Sequence, residues 1–117
     1  MKNTNMAAHV PHLNSEPNVP PGLLSLIPGF LRRRELEIEE LRRFLENCDY
    51  ESIGHVAHKM KGTGAGYGFD AISELGSALG RASEQEDDGM LGQLIDTFED
   101  LIFDLKKRMA SALNQPF

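Results

Sequence analysis

A stripe of large apolar residues over the last quarter of the chain constrains the fold more than any other feature of the sequence. Its members recur three, four and seven residues apart, as on one face of a helix: Leu91, Leu94, Ile95, Phe98, Leu101, Ile102, Leu105, Met109 and Leu113. Basic residues occupy positions 106–108, where the negative end of a helix dipole favours positive charge. The stripe therefore predicts one long amphipathic helix.

Three earlier segments show the same period over shorter stretches. The first starts after Pro28 and Gly29 and runs to about residue 47. The second runs from a capping aspartate at residue 49 to Gly68, and the third from residue 69 to about residue 84, before a polar break at residues 86–89. No segment alternates as a strand does. We predict an all-α fold, an antiparallel up-down-up-down four-helix bundle over residues 26–117.

Prolines and asparagines interrupt the first 25 residues, and this pattern predicts an N-terminal tail over residues 1–25. Two alternatives stay open for the tail. Either it is disordered in part, or the apolar residues 23–27 end it in a short turn that packs back on the bundle.

Composition restricts the class of protein. The chain has 117 residues, a net charge of −6 and a single cysteine, Cys48. This length fits one domain, and an unpaired cysteine without an N-terminal secretion signal predicts a cytoplasmic location. No apolar run is long enough to span a membrane, and the negative charge would repel nucleic acid. We therefore expect a cytoplasmic monomer that binds another protein, with neither a membrane nor a nucleic acid as partner.

His58 is the strongest candidate for a chemically reactive residue. At 100° per residue it lies about 160° from Met60, the centre of the buried face of the second helix, so it points to solvent. Gly62 lies beside it on the same outer face. A glycine within a helix destabilises it by about 1 kcal/mol relative to alanine, so its presence at an exposed helical position calls for an explanation. The space that Gly62 leaves beside His58 can admit another molecule. Gly64 faces inward and can let another helix approach closely.

Imidazole is suited to nucleophilic attack because its neutral form near pH 7 keeps a lone pair free. Lys59 and Lys61 flank His58 and can screen the charge of a phosphoryl group on it; Lys61, at i+3, is the better placed. His55 and Ala65 share the outer face with His58. We predict that His58, Lys61 and Lys59 carry the chemistry.

The sequence AHKMKGTGAGYGF at residues 57–69 resembles the signature of histidine-containing phosphotransfer domains. In that family a histidine is followed by any residue, an apolar residue, Lys, Gly and a small-residue stretch ending in Gly. These positions fall on His58, Met60, Lys61, Gly62 and Gly68. Leu75 and Leu79 continue the pattern, and the resemblance covers roughly residues 26–113.

The resemblance implies a four-helix bundle in which His58 accepts a phosphoryl group from an aspartate of one receiver domain and passes it to an aspartate of another. The receivers would belong to a hybrid histidine kinase, a response regulator or both, and would supply magnesium, so the chain itself needs no cofactor. It would be a phosphocarrier without autonomous kinase activity, and indeed it lacks a G-x-x-x-x-G-K-[ST] phosphate loop. We expect His55, Gly62 and Ala65 to dock the partner. The family often gives the second imidazole nitrogen a polar partner, which the sequence does not identify.

Two other functions remain open. The first is a helical adaptor that binds a signalling partner without chemistry. The second, ranked below it, is the phospho-accepting module of a chemotaxis-type kinase, whose catalytic and dimerisation domains we would expect beside it. A metal site at His55 and His58 is disfavoured, because zinc needs three or four ligands.

Other residues are assigned structural roles. We expect Tyr67 and Phe69 to seal one end of the core rather than stack on a ligand. The arginines of the first helix are expected to pair with glutamates of the same helix. Cys48 has no predicted role.

Overall fold

The computed structural model describes residues 9–114, in which a 3-10 helix precedes four α-helices. The 3-10 helix Pro21–Leu26 leads directly into α1 (Ile27–Glu46), and α2 (Tyr50–Tyr67), α3 (Asp70–Glu84) and α4 (Asp88–Leu113) follow. The described residues contain no strand, so the predicted all-α four-helix bundle is confirmed. None of the helices within residues 9–114 is long and apolar enough to cross a membrane.

The ends of α2 lie where the sequence placed them. The Asp49 carboxylate accepts hydrogen bonds from the Ser52 hydroxyl at 2.7 Å and from the Ser52 backbone N–H at 3.2 Å. These bonds stabilise the charged carboxylate and lower the pKa of Asp49. Gly68 ends the helix with a φ of 84°, a left-handed conformation that glycine adopts without strain.

Two other helix boundaries were predicted too late in the chain. Helix α1 already begins at Ile27, because Pro28 fits the first turn of a helix, where its missing N–H is not needed. Helix α4 begins at Asp88 because the Asp87 side chain accepts a hydrogen bond from the Met90 backbone N–H at 3.1 Å. The polar break is therefore residues 85–87, and Gly89 belongs to the first turn of α4.

The four helices enclose one core and form a closed ring. Helix α1 packs against α2 and α4, and α3 packs against the same two helices. The apolar stripe of α4 faces inward: Leu91, Leu94, Ile95 and Phe98 are fully buried. At one end of the core the Phe30 ring stacks with two others, at centroid distances of 4.3 Å to Tyr67 and 5.3 Å to Phe69. This confirms the structural role predicted for Tyr67 and Phe69.

Contacts across the helices show how neighbours are oriented. On α1, Phe30 meets Tyr67 of α2, and the Arg34 Nη1 donates to Thr63 Oγ1 at 3.2 Å. Residues further along α1 therefore contact residues nearer the start of α2. Between α1 and α4, Glu35 pairs with Lys106 at 2.9 Å and Arg42 pairs with Glu99 at 2.8 Å, again in opposite order. Both sets of contacts are those expected of antiparallel neighbours.

The arginines of α1 follow the predicted pairing only in part. Arg34 Nη2 donates to Glu37 Oε2 of the same helix at 2.9 Å, and both side chains are buried. Arg42 instead reaches across to Asp96 and Glu99 of α4. For Arg42 the predicted pairing within the helix is wrong, because packing brings the acidic face of α4 closer than the glutamates of its own helix.

Helices α2 and α3 approach until their backbones touch. A Cβ atom added at Gly76 would lie 2.7 Å from both the Ala57 carbonyl oxygen and the Lys61 backbone nitrogen. One added at Gly64 would lie 2.6 Å from the Ser73 backbone nitrogen. These distances leave no room for a side chain, so the close approach predicted at Gly64 is confirmed. The contact brings α3 directly against the turn of α2 that follows His58.

The N-terminal segment lies against the bundle from residue 9 onward. Val10 is fully buried, and the Asn18 backbone N–H donates to the Gly68 carbonyl at 2.8 Å. The His12 backbone N–H donates to Glu74 Oε1 at 2.7 Å, and the His12 ring contacts the other oxygen of Glu74. These contacts come earlier in the chain than the docked turn expected at residues 23–27. The 3-10 helix Pro21–Leu26 has no buried residue, and Ile27, which is fully buried, already belongs to α1. The expectation of partial disorder falls partly on the first eight residues, which lie outside the described part of the chain.

The His12 contact predicts a pH-dependent contribution to stability. The hydrogen bond to Glu74, followed by the charges of Glu74 and Asp70, raises the pKa of His12. Its contribution is therefore fully present below the ordinary histidine pKa and is lost as the pH rises through the raised value. We expect His12→Gln to lower the free energy of unfolding at about pH 5.5 but not at about pH 9, as measured by urea denaturation. An equal loss at both pH values would contradict this assignment.

Candidate functional site

His58 lies in the middle of α2 with its side chain exposed, as the helical projection predicted. Its neighbours Ala57 and Met60 are buried at 1% and 0% exposure, so they hold this turn of α2 against the core. The imidazole therefore projects from a helix that is fixed on its inner side. A nucleophile in this position is accessible to a second protein and loses little freedom when that protein arrives.

A cleft of about 360 Å³ opens beside His58 between α2 and α3, and we call it the His58 cleft. Its residues from α2 are Gly54, Ala57, His58 and Lys61. Those from α3 are Gly76, Ser77, Gly80, Arg81, Ser83 and Glu84. Small residues make the floor, whereas the imidazole, two cations, two hydroxyls and one carboxylate are its polar groups. The chemistry at His58 would therefore take place next to a polar, positively charged recess.

The two predicted lysines differ in their relation to this cleft. Lys61 lines it together with His58, whereas Lys59 is exposed and does not line it. The Lys59 carbonyl accepts a hydrogen bond from Thr63 Oγ1 at 2.9 Å, a contact of the backbone alone. The structure thus groups Lys61, rather than Lys59, with the imidazole.

The residues predicted to dock a partner are all exposed on α2. His55, Gly62 and Ala65 lie within about 60° of His58 around the helix axis, and none of them lines the cleft. A Cβ atom added at Gly62 would find no other atom within 4 Å. The surface next to His58 is therefore open at Gly62, where no side chain stands and no other atom lies close.

Hydrogen bonds support the backbone of α2 on both sides of His58. Ser73 Oγ of α3 donates to the Lys61 carbonyl at 2.8 Å. Thr63, whose hydroxyl donates to the Lys59 carbonyl, in turn accepts a hydrogen bond from Arg34 of α1. The turn that carries His58 and Lys61 is therefore connected by hydrogen bonds to both neighbouring helices.

Sequence reasoning missed the residues that α3 contributes to the cleft. Ser77, Arg81 and Glu84 stand at i, i+4 and i+7, so they share one face of α3. A signal was present in Gly76 and Gly80, two small residues one turn apart on the side that meets α2. The apolar stripe of α3, on which the prediction of this helix rested, does not include Ser77, Arg81 or Glu84.

Within residues 9–114, no group of three or more His, Cys, Asp or Glu side chains is arranged to hold a metal ion. Comparison with known proteins adds no assignment. No family model matches the chain, and neither the curated proteins nor the solved structures searched gave a significant match.

Proposed function

We propose that this chain is a phosphorelay intermediate in which His58 accepts a phosphoryl group from a receiver-domain aspartate and passes it to another receiver. The observation that carries the proposal is the exposed imidazole in the middle of α2, with Lys61 beside it on the same cleft. As part of the proposal, the protein acts in the cytoplasm as a monomer that meets its receivers in turn. It is a phosphocarrier and has no kinase activity of its own.

The proposed reaction is a displacement at phosphorus. An imidazole nitrogen of His58 attacks the phosphorus of the aspartyl phosphate, and a phosphorus–nitrogen bond forms while the bond to the aspartate oxygen breaks. The electron pair of the broken bond leaves on the aspartate carboxylate. Lys61 compensates the negative charge of the transferred group, and the receiver supplies magnesium. Transfer to the second receiver reverses these steps.

Docking has to bring the aspartyl phosphate within about 3–3.5 Å of the imidazole nitrogen. The open surface next to His58 supports such an approach, since both Gly62 and Gly66 are exposed and have open space where a side chain would stand. A receiver that approaches His58 over these two glycines meets no side chain at either position.

Replacing Gly62 with glutamine tests this docking surface. The substitution should leave the protein at least as stable, because glutamine has the higher helix propensity, yet slow phosphoryl transfer from a receiver by placing a side chain beside the imidazole. Thermal unfolding and the transfer rate are measured on the same preparation. Labelling by phosphoramidate, a small donor that needs no docking, should change little.

Gly92→Gln is the matched control, since Gly92 also lies inside a helix with no atom within 4 Å of an added Cβ, but on α4. It should transfer at the parental rate. If Gly62→Gln transfers from the receiver as fast as the parent protein, access at this glycine plays no part in docking. A loss of stability would show that the space at Gly62 is not open.

Mixing the chain with phosphorylated receiver domains separates the relay from the adaptor. A relay intermediate takes the label, and phosphohistidine is recognised because it is labile in acid and stable in base. A chain that binds receivers but acquires no label from any of them is an adaptor, and the proposed function is then wrong.

A further inference from the structure

The floor of the His58 cleft contains two glycines that helix packing does not require. An added Cβ at Gly54 would come no closer than 3.6 Å, to the Ser83 hydroxyl, and one at Gly80 no closer than 3.9 Å, to the Ala57 Cβ. Both are ordinary van der Waals distances, unlike the 2.7 Å contacts at Gly76. Since each glycine in a helix costs about 1 kcal/mol relative to alanine, an occupant of the cleft would explain why both are present.

The charges on the cleft indicate what the occupant is. Lys61 of α2 and Arg81 of α3 line the recess from its two walls, so a cationic side chain is within reach of an occupant from either side. A guanidinium can donate two parallel N–H bonds to the oxygens of a phosphate, and an ammonium adds a further charge-assisted bond. Ser77, one turn before Arg81 on the same face, adds a hydroxyl donor. Glu84 is the one acidic residue of the cleft, and its carboxylate repels a bound anion.

The size of the cleft is compatible with this ligand. An enclosed cavity of about 150 Å³ holds benzene in another protein, so an open cleft of about 360 Å³ has room for a tetrahedral oxyanion. The imidazole of His58 lines the same recess, which puts a bound phosphoryl group next to the proposed nucleophile.

We propose that the His58 cleft is a binding site for phosphate-class oxyanions, in which Arg81 and Lys61 hold the oxygens from opposite walls. In the unmodified protein the site binds inorganic phosphate. In the phosphorylated protein it holds the phosphoryl group on His58, and this second part rests on the proposed function. Arg81 is thereby a phosphoryl-binding residue contributed by α3, outside the residues 57–69 that carry the family resemblance.

The first experiment uses inorganic phosphate and does not depend on any receiver. The unphosphorylated full-length chain is titrated with phosphate at constant ionic strength while backbone amide shifts are followed by NMR, with chloride as the matched salt. We expect saturable shifts on both walls of the cleft. Arg81→Gln should weaken phosphate binding about tenfold, whereas Glu84→Gln should strengthen it, a gain that misfolding does not produce.

Arg33→Gln is the matched control, because Arg33 is an exposed arginine of α1 outside the cleft. It should bind phosphate like the parent protein. If no saturable shift appears, or if Arg81→Gln and Arg33→Gln bind alike, the site is overturned.

The second experiment uses phosphohistidine prepared with phosphoramidate. Relative to the parent protein, the lifetime of the label on His58 should change several-fold in Arg81→Gln and stay the same in Arg33→Gln. Equal lifetimes in the parent protein and both variants would overturn the role of Arg81. The two proposals fail separately. Phosphate binding without transfer from any receiver supports the oxyanion site and overturns the relay. Phosphoryl transfer from a receiver without phosphate binding supports the relay and overturns the oxyanion site.

Discussion

Replacing His58 with glutamine is expected to abolish phosphoryl acceptance from every receiver that phosphorylates the parent protein. Glutamine is similar in size and polarity but has no nitrogen lone pair that can form a phosphoramidate under these conditions. Because His58 is exposed, the free energy of unfolding should change by no more than about 0.5 kcal/mol. Label transfer and urea denaturation measure the two quantities.

His12→Gln serves as the control for this substitution. His12 is also exposed but lies in the N-terminal segment against Glu74, outside the His58 cleft. It should accept label at the parental rate under conditions where both proteins are folded. Label on the His58→Gln protein would show that another residue is the acceptor.

Replacing Gly76 with alanine is expected to destabilise the bundle by about 1–3 kcal/mol, although alanine is the better helix former. The added methyl would lie 2.7 Å from backbone atoms of Ala57 and Lys61, and backbone cannot rotate away as a flexible side chain can. Helices α2 and α3 would have to separate along their closest contact. Urea denaturation measures the loss, and for a domain of this size each kcal/mol corresponds to a fall of about 4 °C in melting temperature.

Gly80→Ala, one turn further along α3, is the matched comparison. Its added methyl would come no closer than 3.9 Å to a neighbouring side chain, so helix propensity should raise the stability by up to about 1 kcal/mol. The two substitutions are chemically identical and should act in opposite directions. Equal stability of the two variants would rule out the close backbone approach of α2 and α3.

Local patterns in the sequence predicted the helices and several of their ends, because a few neighbouring residues determine these features. The apolar period identified all four helices, and capping chemistry placed both ends of α2 at Asp49 and Gly68. The inward position of Gly64 predicted a close contact with another helix, which α3 makes. In each case a few neighbouring residues determine the outcome.

Features that depend on which helices meet were harder to predict. Arg81 and Glu84 line the His58 cleft because one face of α3 packs against α2. Gly76 and Gly80 mark this face in the sequence, but they do not state which helix packs against it. The pairing of Arg42 with α4 and the burial of Val10 likewise require the tertiary arrangement. The prolines of the N-terminal segment suggested a tail that is disordered in part. Within its described residues, however, Val10, Leu13 and Val19 pack on the core, and hydrogen bonds add to these contacts.

For the candidate site, sequence alone predicted the exposed positions of His58, Lys61 and Gly62 on α2 from the helical projection. It could not predict the recess beside them, since this recess exists only where α2 and α3 meet with small residues on both sides. The chemical roles of these residues, and docking at His55, Gly62 and Ala65, remain predictions for the variants described above.

The most direct test of the relay is a three-component reaction. A first receiver carrying labelled aspartyl phosphate is mixed with this chain and an unphosphorylated second receiver, and the label on each protein is followed over time. The proposal predicts that label appears on His58, then declines as it reaches the second receiver, and that His58→Gln transfers nothing beyond the reaction without the chain. If label reaches the second receiver equally fast with the parent protein and with His58→Gln, His58 is not the relay residue.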